Sequence, residues 1–175
     1  MTLSIILIAL ATFFLMECVA WLMHKYVMHG FLWYFHEDHH TPHHEGVFEK
    51  NDFFFLIFAI PSMILIYLGW HDPELYYLLA IGYGITLYGF AYFTVHDIFI
   101  HQRFKFLKRT DIPYLRAIRK AHKVHHKKMT KEDGECFGML WVPMKYFREA
   151  MRSRNWWLNG YIIELLHGVK NNTIV

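Results

Sequence analysis

The sequence predicts an all-α fold: an integral membrane helical bundle of three to four transmembrane helices with a cytosolic, histidine-rich helical cap. Three observations predict it. Apolar residues make up 55% of the 175 and charged residues only 19%, against about 25% charged in soluble domains. The apolar residues gather into runs long enough to cross a bilayer. Histidine occurs 14 times, and ten of these fall in four short clusters that follow the runs. The length fits one membrane-embedded domain over 1–175. Cys18 and Cys136 lie far apart in unlike contexts and imply no disulfide framework.

The first run, Leu3 to Met23, has 21 residues and a single charge, Glu17. As a helix it can cross a hydrocarbon core of ~30 Å. No basic segment precedes it and no small-residue cleavage site follows, so it reads as a retained span rather than a signal peptide. The second run, Phe53 to Trp70, is uncharged over 18 residues, with Pro61 as a kink; the third, Leu75 to Val95, is uncharged over 21 and carries Gly82, Gly84 and Gly89. The short link His71 to Glu74 makes these two an antiparallel hairpin. A fourth segment, 156–169, has only 14 residues and contains Glu164 and His167, so it reads as a short interfacial or partly buried helix. Arg103 to Lys131 holds 11 of the 18 basic residues and the link holds none. The positive-inside rule then puts the basic stretch in the cytosol and the link and N-terminus outside. Flanking spans make that stretch a membrane-surface patch, not a nucleic-acid site.

The ten clustered histidines repeat two spacings. His24 and His29 form H-x4-H; His36, His39 and His40 form H-x2-H-H; His96 and His101 form H-x4-H; His122, His125 and His126 form H-x2-H-H. Positions i, i+3 and i+4 share a helix face, so each trio can aim at one spot. Positions i and i+5 are ~140° apart on an α-helix. Each H-x4-H pair therefore serves two metals, or its helix ends between the two residues; Gly30, just after His29, suits such an end. Both pairs emerge from spans at the same level, and both trios follow on that side. Ten imidazoles suit two metal ions, and imidazole alone does not choose among Zn, Cu, Fe and Ni. The E-x-x-H matches Glu37–His40 and Glu164–His167 lack the partner glutamates of a carboxylate bundle. His71 and His167 read as ordinary surface or core residues. His43 and His44 follow the helix-breaking Pro42 and are left out of the ligand set. A metal-scavenging loop would lack the repeated spacing.

With its four histidine motifs in this order, the chain resembles the membrane-bound di-iron hydroxylases of the fatty acid hydroxylase superfamily. Met16-Glu17, His24 to Gly30, Phe48 to Asp52, Tyr67 to Gly69, Val95 to Asp97 and His101 to Arg103 resemble its carotenoid branch. The likeness covers about residues 10 to 140 and is weak beyond Lys145. It implies two iron ions, O2 as co-substrate, and hydroxylation at carbon 3 of the β-ionone ring. β-Carotene would become β-cryptoxanthin and then zeaxanthin; canthaxanthin would lead to astaxanthin. It also implies a bacterial inner membrane, with the active site on the cytosolic face. Alternatives within the same chemistry are a fatty-acid or sterol hydroxylase, a desaturase or a carotenoid ketolase. A membrane metal carrier is the non-enzyme alternative, although no histidine lies in mid-span.

The chemistry is consistent with that implication. An unactivated C–H needs a strong oxidant, which redox-inert zinc cannot generate. Neutral histidines do not offset metal charge, so carboxylates that orient their N–H groups should matter. Asp97 adjoins His96. Glu17 lies seven residues before His24, on nearly the same helical face, and either orients a ligand or bonds a neighbouring helix. Glu49 and Asp52 are not separable from helix caps. No catalytic side chain is expected beyond the metal ligands. The lipid-soluble carotenoid would enter from the bilayer, with Phe53, Tyr88, Tyr92 and Phe93 as slot walls among lipid contacts. The chain has no flavin or nicotinamide domain and no cysteine set for an iron–sulfur cluster. Electrons must come from an external donor, such as ferredoxin with its reductase, docking near Lys105, Lys108 and Arg109.

Overall fold

The three apolar runs form three long helices, and the histidines gather where those helices leave the apolar layer. A computed structural model of the chain describes residues 2–41, 48–104 and 110–152. Its α-helices are α1 (Thr2–Leu22), α2 (Trp33–His40), α3 (Phe53–His71), α4 (Tyr76–Phe93) and α5 (Pro113–His125), followed by a helical segment over 144–152. No strand occurs among the described residues. The expected segment 156–169 lies outside the described residues, as do His43, His44, His167, Lys105, Lys108 and Arg109.

Three helical stretches, Thr2–Phe31, Lys50–His71 and Pro73–Ile100, are long and apolar enough to cross a membrane. Their outer faces carry exposed Leu7, Phe14, Leu15, Phe55, Met63, Tyr67 and Phe90. Such a continuous apolar surface is costly in water and natural in lipid. Helix α4 packs against both α1 and α3. Small residues allow the close approach. A Cβ on Gly84 would lie 2.6 Å from the Ala9 carbonyl of α1, and one on Gly82 would lie 2.6 Å from Ile66 Cγ1 of α3. Ser62 Oγ on α3 also donates to the Gly82 carbonyl at 2.8 Å.

The first and third helical stretches extend past their expected ends at Met23 and Val95. Each passes from α-helix into a wider π-helical turn, Met23–Phe31 and Thr94–Ile100. The first breaks at Gly30, whose φ of −110° and ψ of −122° are non-helical, so Gly30 does mark a helix break, one residue after His29.

The remaining elements cover the histidine-bearing end of the bundle. Phe99, Ile100, Ile118 and Met139 form one buried apolar cluster. Ala117, Ala121, Tyr146 and Ala150 form another, between α5 and the 144–152 helix. The polar tie between this cap and the spans is Glu17. Its Oε1 accepts the backbone N–H groups of Met139, Leu140 and Trp141, each at 2.9 Å, and its Oε2 accepts the Tyr88 hydroxyl at 2.8 Å. An acid inside a span is thus satisfied from the bundle interior. Among the described residues its bonds are to neighbouring elements.

Replacing Glu17 with leucine would strip the buried Met139 N–H and the part-buried Leu140 and Trp141 N–H groups of their acceptor, at about 1–3 kcal/mol for the buried one and less for the others. Glu17→Leu should sharply lower the midpoint of thermal unfolding in detergent, and Glu17→Gln, which keeps an oxygen, should lower it less. A leucine variant melting with the wild type would refute the tie.

Candidate metal centre

Nine of the ten clustered histidines form two groups of convergent nitrogens. His24, His29, His36, His40 and His125 form the first; His39, His96, His101 and His122 form the second; within each, one nitrogen per residue lies within 4.8 Å of all the others. The tenth, His126, joins the second group through Nε2, 2.8 Å from His122 Nε2. Its ring also stacks on His40 of the first, with centroids 4.5 Å apart, so the two sets are contiguous.

The sorting departs from the expected geometry in two ways. First, both members of each H-x4-H pair join the same set. The π turn explains this: its hydrogen bonds run from i+5 to i, as His101 N donates to His96 O at 2.9 Å, which brings residue i+5 back over residue i. Second, each H-x2-H-H trio divides. His36 and His40 serve the first set and His39 the second; His122 and His126 serve the second and His125 the first. Adjacent helical residues point ~100° apart, so i+3 and i+4 diverge when two targets lie side by side. Each set therefore takes one H-x4-H pair, two imidazoles from one trio and one from the other.

The hydrogen bonds behind the imidazoles fix their tautomers. In the first set, the Nδ1–H groups of His24, His29, His40 and His125 donate to the carbonyls of Phe137, Lys131, Lys128 and Glu135 at 2.9–3.2 Å. His36 Nδ1 donates to Asn51 Oδ1 at 2.7 Å. A carbonyl can only accept, so the proton is on Nδ1 and the Nε2 lone pair faces inward. The coil that supplies these carbonyls turns at Asp133 and Cys136, which both have positive φ (57° and 62°). In the second set, His39 Nδ1 donates to Glu49 Oε2 at 2.6 Å, and His96 Nδ1 lies 3.4 Å from Asp97 Oδ2. Burial disfavours protonation of seven of the imidazoles: it lowers His40 to about 4, His125 to about 3 and His36 and His101 to about 2, and it pushes His39, His122 and His126 down as well.

This donor set fits metal ions. Nε2 atoms face one another at 3.1 Å (His24–His36), 3.2 Å (His29–His125 and His36–His40), 3.0 Å (His39–His96) and 2.9 Å (His101–His122). Where the proton of each ring is on Nδ1, as throughout the first set, the facing Nε2 atoms cannot hydrogen-bond and repel at that distance; a shared cation turns repulsion into ligation. Nitrogens ~2.1 Å from one ion and at right angles would stand ~3 Å apart. Among the described residues the buried His122 Nδ1 has no hydrogen-bond partner.

Other expected residues are placed as follows. Asp97 faces His96, with Oδ2 3.4 Å from Nδ1. Glu17 bonds no imidazole among the described residues; it holds the 139–141 backbone, which follows Phe137 after the single residue Gly138. Tyr92 lies against the His96 ring with centroids 4.8 Å apart, and Tyr88, bonded to Glu17, lies next to Tyr92. Phe53 stacks on Phe35 at 5.0 Å and Phe93 contacts Phe104; both are partly exposed on the outer face. Glu49 and Asn51, which sequence reasoning did not assign to the site, hold two ligand imidazoles. The signal was their position immediately before a span, at the same level as the histidines. Phe54, buried against His36 at 6.3 Å, is nearer the imidazoles than Phe53.

The sorting makes a prediction that chain proximity does not. The purified chain should hold two metal ions. A His39→Ala/His122→Ala double variant should lose one, because both belong to the second set, whereas His36→Ala/His122→Ala should lose both. Metal analysis after desalting reads the outcome; equal loss in both variants would refute the division.

Comparison with known proteins agrees with the histidine motifs. The chain matches the fatty acid hydroxylase family over residues 9–147. It is 41% identical over 150 residues to a β-carotene hydroxylase of Pantoea ananas, covering 85% of this chain and 84% of that one. It is 36% identical to a β-carotene hydroxylase of Paracoccus sp. (strain N81106 / MBIC 01143), covering 78% and 83%. It is 39% identical to a chloroplastic β-carotene 3-hydroxylase of Arabidopsis thaliana, covering 73% of this chain and 42% of the relative. No solved structure matches the chain. With three helices able to span a membrane and two histidine sets at their common end, the chain belongs to the fatty acid hydroxylase family, as an integral membrane protein.

Proposed function

We propose that this protein is a membrane monooxygenase that hydroxylates carbon 3 of carotenoid β-ionone rings, taking β-carotene to β-cryptoxanthin and then zeaxanthin, with canthaxanthin as a further substrate. The observation that carries this reading is the pair of neutral, all-nitrogen histidine sets at the end of an apolar bundle. The substrate class comes from the relatives, bacterial and plant, which are β-carotene hydroxylases.

The first set and the second set, with His126, would each hold one iron ion. When bound, the irons supply reduction of O2 with two external electrons and two protons, so that one oxygen atom enters the C–H bond and the other leaves as water. The chain's own residues do the rest. Backbone carbonyls, Asn51, Glu49 and Asp97 orient the imidazoles. Burial excludes water and keeps them unprotonated. Tyr92 and Tyr88 line the approach to His96 from the spans, the side from which a lipid-dissolved ring arrives; Phe53 and Phe93 would meet the rest of the polyene or lipid.

The histidine end lies in the cytosol, at a bacterial inner membrane. The exposed Lys123, Lys127, Lys128 and Lys131 beside the sets favour this; an acidic ferredoxin-like donor would dock on this basic stretch of the sequence, to which Lys105, Lys108 and Arg109 also belong. Membrane-impermeant thiol labelling of Asp72→Cys and Lys123→Cys variants should report opposite sides; labelling from one side would overturn this orientation.

Expression in a β-carotene-producing host should yield zeaxanthin through β-cryptoxanthin. The purified protein should do the same only with O2, ferredoxin and its reductase. His36→Ala and His122→Ala should abolish the product while leaving the protein in the membrane. Unchanged β-carotene with the wild type, or a ketone or desaturated product, would overturn the proposal.

A further inference from the structure

Arg103 follows His101 by two residues, and three carboxylates converge on its guanidinium. Nη2 pairs with Glu49 Oε2 at 2.9 Å, Nη1 donates to Asp52 Oδ1 at 2.9 Å, and Nε pairs with Asp97 Oδ1 at 3.1 Å. The Arg103 side chain is only 14% exposed, and those of Glu49 and Asp97 are 15% and 12%. Its backbone N–H also closes the end of the π turn on Asp97 O at 3.0 Å. A planar guanidinium spreads its charge over three nitrogens in a fixed frame, so it can face three carboxylates at once, which a single ammonium cannot.

The carboxylates that Arg103 holds are the ones behind the second histidine set. Glu49 Oε2, already paired with Arg103, also accepts His39 Nδ1–H at 2.6 Å. Asp97 turns one oxygen to Arg103 and the other toward His96 Nδ1. Behind the first set stand four backbone carbonyls and Asn51, all uncharged. Three carboxylates against one guanidinium leave the region behind the second set negative. The two sets thus have different electrostatic surroundings.

We propose that Arg103 is the positioning residue of the second metal site alone. By fixing Glu49 and Asp97 it holds His39 and His96 with Nε2 inward, and it stabilises an anionic backing that favours the ion bound there over the ion in the first set. This inference rests on the reading of the two histidine sets as metal sites.

The test is a cobalt(II) titration of the metal-free, full-length protein in detergent, followed by visible absorption and metal analysis. The wild type should take up two equivalents. Arg103→Gln should weaken one of them by about ten- to a hundredfold, the range for lost partners of ligand imidazoles, and leave the other unchanged. Arg103→Lys, which keeps the charge without the fork, should recover part of the loss. In a His36→Ala background, where only the second-set equivalent remains, Arg103→Gln should weaken what is left; in a His122→Ala background it should not. If Arg103→Gln fails to fold, Glu49→Gln and Asp97→Asn should each weaken the same equivalent, and Asn51→Ala the other. Wild-type affinity for both ions in all these variants, or equal weakening of both, overturns the proposal. A wild type that takes up fewer than two equivalents overturns the metal reading together with it.

Discussion

Holding unprotonated imidazole nitrogens face to face at about 3 Å is the constraint on which the rest of the molecule depends. Each such contact is unfavourable until a cation lies between the nitrogens, so nothing in the site itself draws them together. The scaffold must do it. It does so from behind, by giving each Nδ1–H an acceptor, and from outside, by burying the rings so that protonation is disfavoured. Most of the cap serves one of these two ends. The coil over 128–137 exists as a row of inward carbonyls, and the turn over Lys50–Asp52 brings Asn51 and Glu49 to His36 and His39.

That coil has to be fastened to something, and it is fastened to a span. Glu17, deep enough in α1 to be costly if left alone, takes three consecutive N–H groups from 139–141 and the Tyr88 hydroxyl. The tie runs from α1 through the backbone to Phe137, whose carbonyl orients His24, the residue just after the predicted first span. Gly138 lets the loop close over the carboxylate, since a Cβ there would lie 3.1 Å from Glu17 Oε1 and 2.6 Å from the Trp141 carbonyl. An acid in a membrane span, which composition alone marks as an anomaly, is here the anchor between the apolar bundle and its polar cap.

The spans were legible because lipid imposes a length and an absence of charge that a sequence displays directly. The clustering of the ten histidines was legible because a site of convergent imidazoles needs a particular side chain at a helical spacing. Their division was not, for physical reasons. A regular α-helix puts His24 and His29 on different faces; only a switch to i+5 hydrogen bonding reunites them, and no residue type announces that switch. The split of His39 from His36 and His40 depends on where the opposite helix stands. The carbonyl acceptors are invisible in principle, since every residue has one. Glu49 and Asn51 carry the right groups, but only the fold distinguishes a partner of His39 or His36 from a helix cap.

The exchange between trios has a consequence for how the centre is built. Because α2 gives two imidazoles to the first set and one to the second, and α5 does the reverse, neither helix can shift without disturbing both sets. A centre in which each trio served its own ion could loosen one half while keeping the other. Here the geometry of the two sets is coupled through rigid helices, while their electrostatics differ: carbonyls and an amide behind the first, carboxylates pinned by a guanidinium behind the second. Keeping anions out of the ring of imidazoles and one layer back lets the inner surface stay neutral and apolar toward the bilayer. The charge that would balance bound ions is then carried by Asp97, Asp52 and Glu49, whose side chains, with that of Arg103, are 12–32% exposed.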